Sequence, residues 1–180
     1  MQVESPRTAR GLFHATMTPM CGGLEFQKRS SRLTQPELIE GIRGSGAGVD
    51  AVRVFFPSPK AAIPVEREFR VDGESDLWLP WGRRKEEPGD WPEGGWARAE
   101  SLGKAYWTRW APAEVVIRPS RWMEKDRQKK SWWFDVEPGT GILCLRLDKA
   151  PGTPLYVVTE AATGDFLADI HHRIPKLVQG

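Results

Sequence analysis

Alternation of apolar and charged positions gives the clearest structural signal in the first half of the chain. Residues 64–71 alternate over eight positions, which is typical of a β-strand with one buried face. Asp72-Gly73 is a turn sequence, and residues 76–81 can form the partner strand. The pattern therefore predicts a β-hairpin here.

Shorter apolar runs bounded by turn residues predict further strands. Residues 105–118 are expected to form one or two strands, interrupted at Pro112. The other predicted strands are 11–17, 51–56, 142–147, 155–160 and 166–171.

One segment has the signals of a helix, over residues 34–43. Thr34 is a candidate N-cap, Glu37 completes a capping box, and Gly44 can end the helix. The glycines of residues 44–48 follow this helix and precede a strand. That order is the reverse of a nucleotide-binding loop, so no cofactor is predicted.

Eight polar residues separate Trp122-Met123 from Trp132-Trp133. An amphipathic helix needs an apolar residue every three or four positions, and this stretch has none. The pattern predicts a protruding β-hairpin over about 113–136, with legs 113–123 and 131–136 and a basic arm at 118–132. Residues 82–95 lack periodicity and are expected to be a long exposed loop that packs back on the body.

Together these elements predict an α+β fold of mainly antiparallel β structure, with a curved sheet or a partly open barrel. The 180 residues are expected to form a single domain, since that length buries an adequate core.

Composition narrows the class of protein. No apolar run approaches the length of a membrane span, and the first residues lack the apolar centre of a secretory signal. Cys21 and Cys144 are far apart, which fits neither a disulfide framework nor a metal-ligand spacing. A cytoplasmic protein without a metal or membrane contact is predicted, and its oligomeric state is left open.

Tryptophan and basic residues are concentrated in the same part of the chain. All nine tryptophans lie between residues 78 and 133, at 78, 81, 91, 96, 107, 110, 122, 132 and 133. Residues 96–133 hold nine Lys or Arg against four Asp or Glu, although the net charge of the chain is only +2. Indoles beside cations can stack nucleobases while the cations hold phosphates, or they can anchor a protein partner.

Since nine binding tryptophans would be too many, about six are expected to be structural and the others to be Trp91, Trp122 and Trp132. We therefore expect a non-enzymatic nucleic-acid-binding protein, with single-stranded nucleic acid or RNA favoured, working alone or within a larger complex. The alternative is a protein-binding module, such as a phage-type inhibitor or an assembly adaptor. The candidate site residues are Arg83, Arg84, Trp91, Arg118, Arg121, Trp122, Lys125, Arg127, Lys129, Lys130 and Trp132.

Catalytic candidates are few. Cys144 lies in an apolar strand where a thiol is expected to be inert, and the rings of His171-His172 are expected on opposite faces of a strand. His14, followed by a threonine two residues later, resembles the start of ADP-ribosyltransferase domains; no matching Tyr or catalytic Glu motif follows. His14 and Cys21 would carry any catalysis.

Residues 13–23, Phe-His-Ala-Thr-Met-Thr-Pro-Met-Cys-Gly-Gly, carry a second resemblance. They are similar to the first strand and following turn of the RNA-binding repeat-associated proteins of CRISPR complexes. The resemblance covers about eleven positions, and the glycine-rich loop that this family has near its C-terminus is missing. It implies RNA binding and adds to the nucleic-acid hypothesis.

Overall fold

A computed structural model describes residues 22–27, 51–65 and 77–179 of the chain. Its strands are β1 (Gly23–Gln27), β2 (Ala51–Phe55), β3 (Ala62–Val65), β4 (Leu77–Pro80), β5 (Trp96–Arg98), β6 (Pro112–Ile117), β7 (Arg121–Lys125), β8 (Ser131–Asp135), β9 (Thr140–Leu147), β10 (Leu155–Ala161), β11 (Arg173–Pro175) and β12 (Leu177–Gln179). The helices are short: a 3₁₀ turn (Ala99–Ser101), α1 (Ala105–Thr108) and α2 (Asp165–Ile170). This confirms the predicted mainly antiparallel α+β fold.

Four strands form the first sheet, in the order β2-β1-β7-β8, with every neighbouring pair antiparallel. The predicted strand at 51–56 is confirmed as β2. Strand β1 was not predicted. Leu24 and Phe26 face the core, whereas Glu25 lies on the other face and pairs with Arg53. Gly22 and Gly23 were interpreted as turn punctuation, although β1 begins at Gly23.

The second sheet is built around β9 and β10, which confirm the strands predicted at 142–147 and 155–160. The two pair directly at Tyr156 and Leu145 and then diverge. The consecutive strands β11 and β12 lie in the gap between the diverging strands, since β11 pairs with β10 and β12 pairs with β9. The parallel strand β5 and the antiparallel strand β6 flank the outer sides of β10 and β9. Such splaying gives the sheet its curvature, and the described strands do not close into a barrel.

Two apolar cores cover the two faces of the second sheet. Ile142 and Val157 belong to the core shared with the first sheet, whereas Leu143 and Tyr156 belong to a second core under α1 and the loop at 82–95. Successive residues of a strand point to opposite faces, so a strand buried on both faces is apolar throughout. This explains why β9 and β10 have no polar alternation.

The hairpin predicted at 64–71 and 76–81 is seen at its described ends. β3 pairs with β4 in antiparallel register, from Ala62 opposite Pro80 to Val65 opposite Leu77. The predicted charged positions between 66 and 76, the strand at 11–17 and the helix at 34–43 lie outside the described residues.

The predicted strand at 166–171 is wrong. The prediction for 105–118 is wrong in its first part, whereas its second part is confirmed as β6. Residues 105–110 contain α1, and Trp107 of α1 and Trp110 just beyond its end both pack against the second core. Residues 166–171 contain most of α2, where Leu167 and Ile170 share the buried side. Apolar residues three apart lie on one face of a helix.

The hairpin predicted over 113–136 has different boundaries. Residues 112–117 form β6 of the second sheet, and the chain then crosses to the first sheet. The hairpin is therefore β7–β8, with its turn at 126–130 as expected. Because β7 also pairs with β1, only the turn projects beyond the sheet.

None of the helices in the described parts of the chain is long and apolar enough to cross a membrane.

Candidate functional site

The inner face of hairpin β7–β8 belongs to the core. Trp122 is only 4% exposed and stacks on Phe134, with ring centroids 4.3 Å apart. The expectation that Trp122 presents an indole face at the surface is therefore wrong. Its position beside turn residues suggested exposure, but it faces the second sheet from a central strand.

The turn of the hairpin is held by Asp126. Its Oδ1 accepts hydrogen bonds from the backbone N–H groups of Gln128 and Lys130, both at 2.9 Å. Its Oδ2 accepts the indole N–H of Trp132 at 2.8 Å. The Trp132 bond, followed by the two backbone bonds, holds the pKa of the Asp126 carboxyl below its usual range. The acidic residue of the turn is thus used to shape it, while Arg127, Lys129 and Lys130 are exposed.

Next to this turn lies an aromatic pair, of which Trp132 is half-buried and Phe166 is exposed. Trp132 meets Phe166 of α2 edge to face, with centroids 5.7 Å apart and planes at 87°. Phe166 is 58% exposed, and the Lys130 ammonium lies 4.0 Å from the Trp132 ring centroid. We call Lys125, Arg127, Lys129, Lys130, Trp132 and Phe166 the tip surface.

Phe166 was missed by the sequence analysis because it was assigned to a strand. Its spacing from Leu167 and Ile170 is the signal that could have placed it on the exposed side of a helix.

The outer face of the first sheet carries Trp133, which the sequence analysis also left out. Arg53 lies 4.8 Å and Arg121 5.4 Å from its ring centroid, and Phe55 packs edge-on at 6.0 Å. Phe55 can lie across β1 because Gly23 there has no side chain; a Cβ would approach the Phe55 ring to 2.8 Å.

Both arginines on this outer face have acidic partners. Arg53 Nε donates to Glu25 Oε2 at 2.7 Å. Arg121 Nε lies 3.1 Å from Asp135 Oδ1, although without hydrogen-bond geometry. Asp135 therefore compensates part of the charge of Arg121, a predicted site residue. Arg118, also a predicted site residue, is exposed in the segment that connects β6 to β7.

The loop at 82–95 packs back on the body of the protein, as expected, and the buried Arg83 side chain stabilises this packing. Arg83 is 7% exposed and donates hydrogen bonds to the carbonyls of Trp91 and Glu87, each at 2.8 Å. Its guanidinium pairs with Glu93 and lies 5.6 Å from the Trp91 ring centroid. Trp91 is half-buried and packs against the second core, so both residues have structural contacts within the loop.

Arg84 has a similar structural role. It donates hydrogen bonds to the carbonyls of Trp81 and Ser58, and its guanidinium lies 4.8 Å from the Phe56 ring centroid. Burial lowers the pKa of this guanidinium, with Glu87 opposing the shift. Of the predicted site, the structure brings together the residues of the tip and leaves Arg83, Arg84, Trp91 and Trp122 apart from it.

Glu124 is an unexpected group on the inner face of β7. It is 1% exposed, and its Oε1 has no hydrogen-bond partner among the described residues. Burial raises the pKa of this carboxyl to about 8, against a smaller opposing effect of the Lys125 backbone. The carboxyl lies on the same face as Trp122, where a charge is costly.

The catalytic candidates give little chemistry. Cys144 is fully buried in β9, as predicted, and burial raises the pKa of its thiol. The rings of His171 and His172 lie 4.4 Å apart rather than on opposite faces, because they follow α2 instead of ending a strand. His14 and Cys21 lie outside the described residues. Within the described ranges, no group of three or more His, Cys, Asp or Glu could hold a metal ion.

No protein-family model matches the chain, and no curated protein matches it.

Proposed function

We propose that this protein binds single-stranded nucleic acid, without catalysis and with little sequence preference, through the tip surface. The observation that carries the proposal is the arrangement around Trp132. An indole that is fixed by Asp126 lies between a cation, Lys130, and an exposed aromatic ring, Phe166.

The cations of the tip surface are suited to phosphates. Arg127, Lys129 and Lys130 are exposed within four residues, and Lys125 is exposed at the base of the turn. None of the four forms an ion pair within the part of the chain that the structure describes. The single acid among them, Asp126, is hydrogen-bonded inward. Unpaired cations on a projecting turn can approach a phosphate backbone from several directions.

The aromatic pair supplies the second part of a single-strand site. Proteins that bind single strands combine a positive surface with aromatic rings on which bases stack, at about 1–3 kcal/mol per base. Phe166 is exposed enough to offer a ring face. Trp132 is held in place by its hydrogen bond to Asp126, so little ordering would be needed on binding.

The proposal is tested by fluorescence anisotropy with a labelled single-stranded oligonucleotide of mixed sequence. The variant replaces Arg127, Lys129 and Lys130 with alanine. The matched control replaces Lys85, Lys104 and Lys149 with alanine; these lysines are also exposed and lie outside the hairpin β7–β8, so the net charge changes by the same amount. We expect the tip variant to lose at least about tenfold in affinity and the control to lose much less.

Two results would contradict the proposal. The first is an equal loss in both variants, which would mean that only the net charge matters. The second is no binding by the parent protein at low salt. In that case the aromatic pair would be better explained as an anchor for a protein partner, whose affinity depends weakly on salt.

A further inference from the structure

An open pocket of about 250 Å³ lies on the other side of the hairpin from the Trp132 and Phe166 pair. Phe55 and Met123 form part of its apolar lining. Lys125 and Ser131, directly opposite each other in the β7–β8 register, provide polar groups. The remaining lining residues are Gly22, Phe56, Pro57 and Ser58.

The position of this pocket relates it to the tip surface. Lys125 is the last residue of β7 and Ser131 the first of β8, so the two residues flank the turn that carries Arg127, Lys129 and Lys130. A chain whose phosphates contact the turn would pass the opening of the pocket. Lys125 belongs to both the tip surface and the pocket.

The size and lining of the pocket limit what it can hold. Pockets for drug-sized ligands usually span about 300–1,000 Å³, so this one suits a single flat ring system. Phe55 provides an aromatic side chain, and its orientation is fixed by edge-on contact with Trp133. The hydroxyls of Ser58 and Ser131 are groups that can both donate and accept hydrogen bonds. Among the described lining residues the one ionisable group, Lys125, is a cation, which favours a ligand with an attached anionic group.

We propose that this pocket receives one unstacked nucleobase of the bound single strand, with Lys125 contacting the phosphate attached to it. This proposal rests on the proposed function and names a second base position on the same hairpin. The base would lie against Phe55 with its polar edge towards Ser58 and Ser131. The cations of the turn would lie between this base and another one at Trp132 and Phe166.

The test compares two labelled probes of equal length: a single-stranded oligonucleotide, and the same backbone with abasic sites. The variant is Ser131→Leu, which fills the pocket with an aliphatic side chain that cannot stack a base. Its matched control is Ser131→Ala, which leaves the pocket open. A second variant, Phe55→Leu, removes the aromatic surface and keeps similar bulk.

Ser131→Leu and Phe55→Leu should each weaken binding of the base-containing probe by about fivefold or more and leave the abasic probe unaffected. Ser131→Ala, which removes one hydroxyl from the site but leaves it open, should weaken binding of the base-containing probe by clearly less than Ser131→Leu does and should leave the abasic probe unaffected. Circular dichroism confirms folding, and having two blocking variants keeps the test decisive if one of them fails to fold.

The possible failures are distinguishable. If the parent binds both probes equally, or if the blocking variants bind the base-containing probe as tightly as the parent, the pocket holds no base while the tip surface still binds the backbone. If the parent binds neither probe at low salt, the proposed function fails as well.

Discussion

The loop at 82–95 and the hairpin β7–β8 both contain tryptophan and arginine, but they place their arginines differently. The loop has one tryptophan and more acidic than basic residues, whereas the hairpin has three tryptophans and more basic than acidic residues. In the loop, Arg83 turns inward and is 7% exposed, whereas in the hairpin Arg127 points into solvent. The difference lies in where hydrogen-bond acceptors are found.

The arginines of the loop donate hydrogen bonds to backbone carbonyls inside and outside the loop. Arg83 contacts the carbonyls of Glu87 and Trp91 within it, and Arg84 contacts those of Ser58 and Trp81, which precede it in the chain. In the hairpin, the strand pairing already uses the carbonyls, and Asp126 satisfies the N–H groups of the turn. Arg127 and Lys129 of the turn are exposed, and Lys130 lies over the Trp132 ring. A cation beside tryptophans therefore turns inward where it finds free backbone carbonyls and stays exposed where the backbone is already satisfied.

The largest predicted effect concerns the buried acid beneath the hairpin. The pKa of Glu124 is raised from 4.5 to about 8 in the folded protein, because burial disfavours its charge. The folded state therefore binds a proton more tightly than the unfolded state does. The contribution of the protonated Glu124 carboxyl to the free energy of unfolding is complete below about pH 4.5. It is lost as the pH rises through about 8, and the total loss is at most about 5 kcal/mol. Urea unfolding at pH 5 and pH 8.5 measures this loss, which Glu124→Gln should largely abolish. An unchanged pH dependence in that variant would show that another group is responsible.

A second prediction separates the buried tryptophan of the hairpin, Trp122, from the half-buried one, Trp132. Trp122→Ala removes a core indole and should destabilise the protein by about 3–5 kcal/mol. Trp132→Ala removes a half-buried indole and its bond to Asp126, at about 1–2 kcal/mol, and should weaken oligonucleotide binding. Trp122→Phe, which keeps an aromatic ring against Phe134, is the control. Thermal unfolding and anisotropy distinguish the two variants, and equal losses of stability would contradict the difference in burial between Trp122 and Trp132.

The third prediction tests the loop. Arg83→Ala leaves two carbonyls and Glu93 without their partner and should cost about 2–4 kcal/mol of unfolding free energy. Oligonucleotide affinity of the folded protein should not change. Arg109→Ala is the control, because Arg109 is an exposed neighbour whose guanidinium donates to the Asp90 carbonyl. It should cost less than about 1 kcal/mol. A loss of binding in Arg83→Ala without a loss of stability would remove the distinction between the loop and the hairpin.

The smallest effect on stability is expected at the tip. Replacing Arg127, Lys129 and Lys130 with alanine should change the free energy of unfolding by less than about 1 kcal/mol. These side chains are exposed, and the interaction that the substitution removes is the attraction of the Lys130 ammonium to the Trp132 ring. A larger change, measured by urea unfolding at pH 5, would mean that these cations have a structural role like that of Arg83.

Much of the fold followed from local pattern. β2, β9 and β10 were predicted because apolar runs of strand length have few other interpretations. The turn at 126–130 followed from a polar stretch without helical spacing. Short helices such as α1 and α2 were missed, since two apolar residues three positions apart also fit a strand.

The candidate site was only partly predictable. The cations at 125–130 were identified from charge. Pairing across the sheets decided the rest: Trp122 is buried because β7 is a central strand, and Trp133 meets Phe55 only because Gly23 lies between them. Phe166 comes from α2, which is distant from the hairpin in sequence. Contacts between residues so far apart in the sequence cannot be predicted from a local sequence pattern.

The salt dependence of oligonucleotide binding tests the central claim most directly. The slope of log affinity against log salt concentration is compared between the parent, the variant lacking Arg127, Lys129 and Lys130, and the control lacking Lys85, Lys104 and Lys149. If each of the three tip cations neutralises one phosphate of a single strand, the slope of the tip variant should be about 2 smaller in magnitude, and that of the control should be close to the parent's. A tip variant with the parent's slope would show that these cations do not contact phosphates, and the hairpin would then not be a nucleic-acid-binding element.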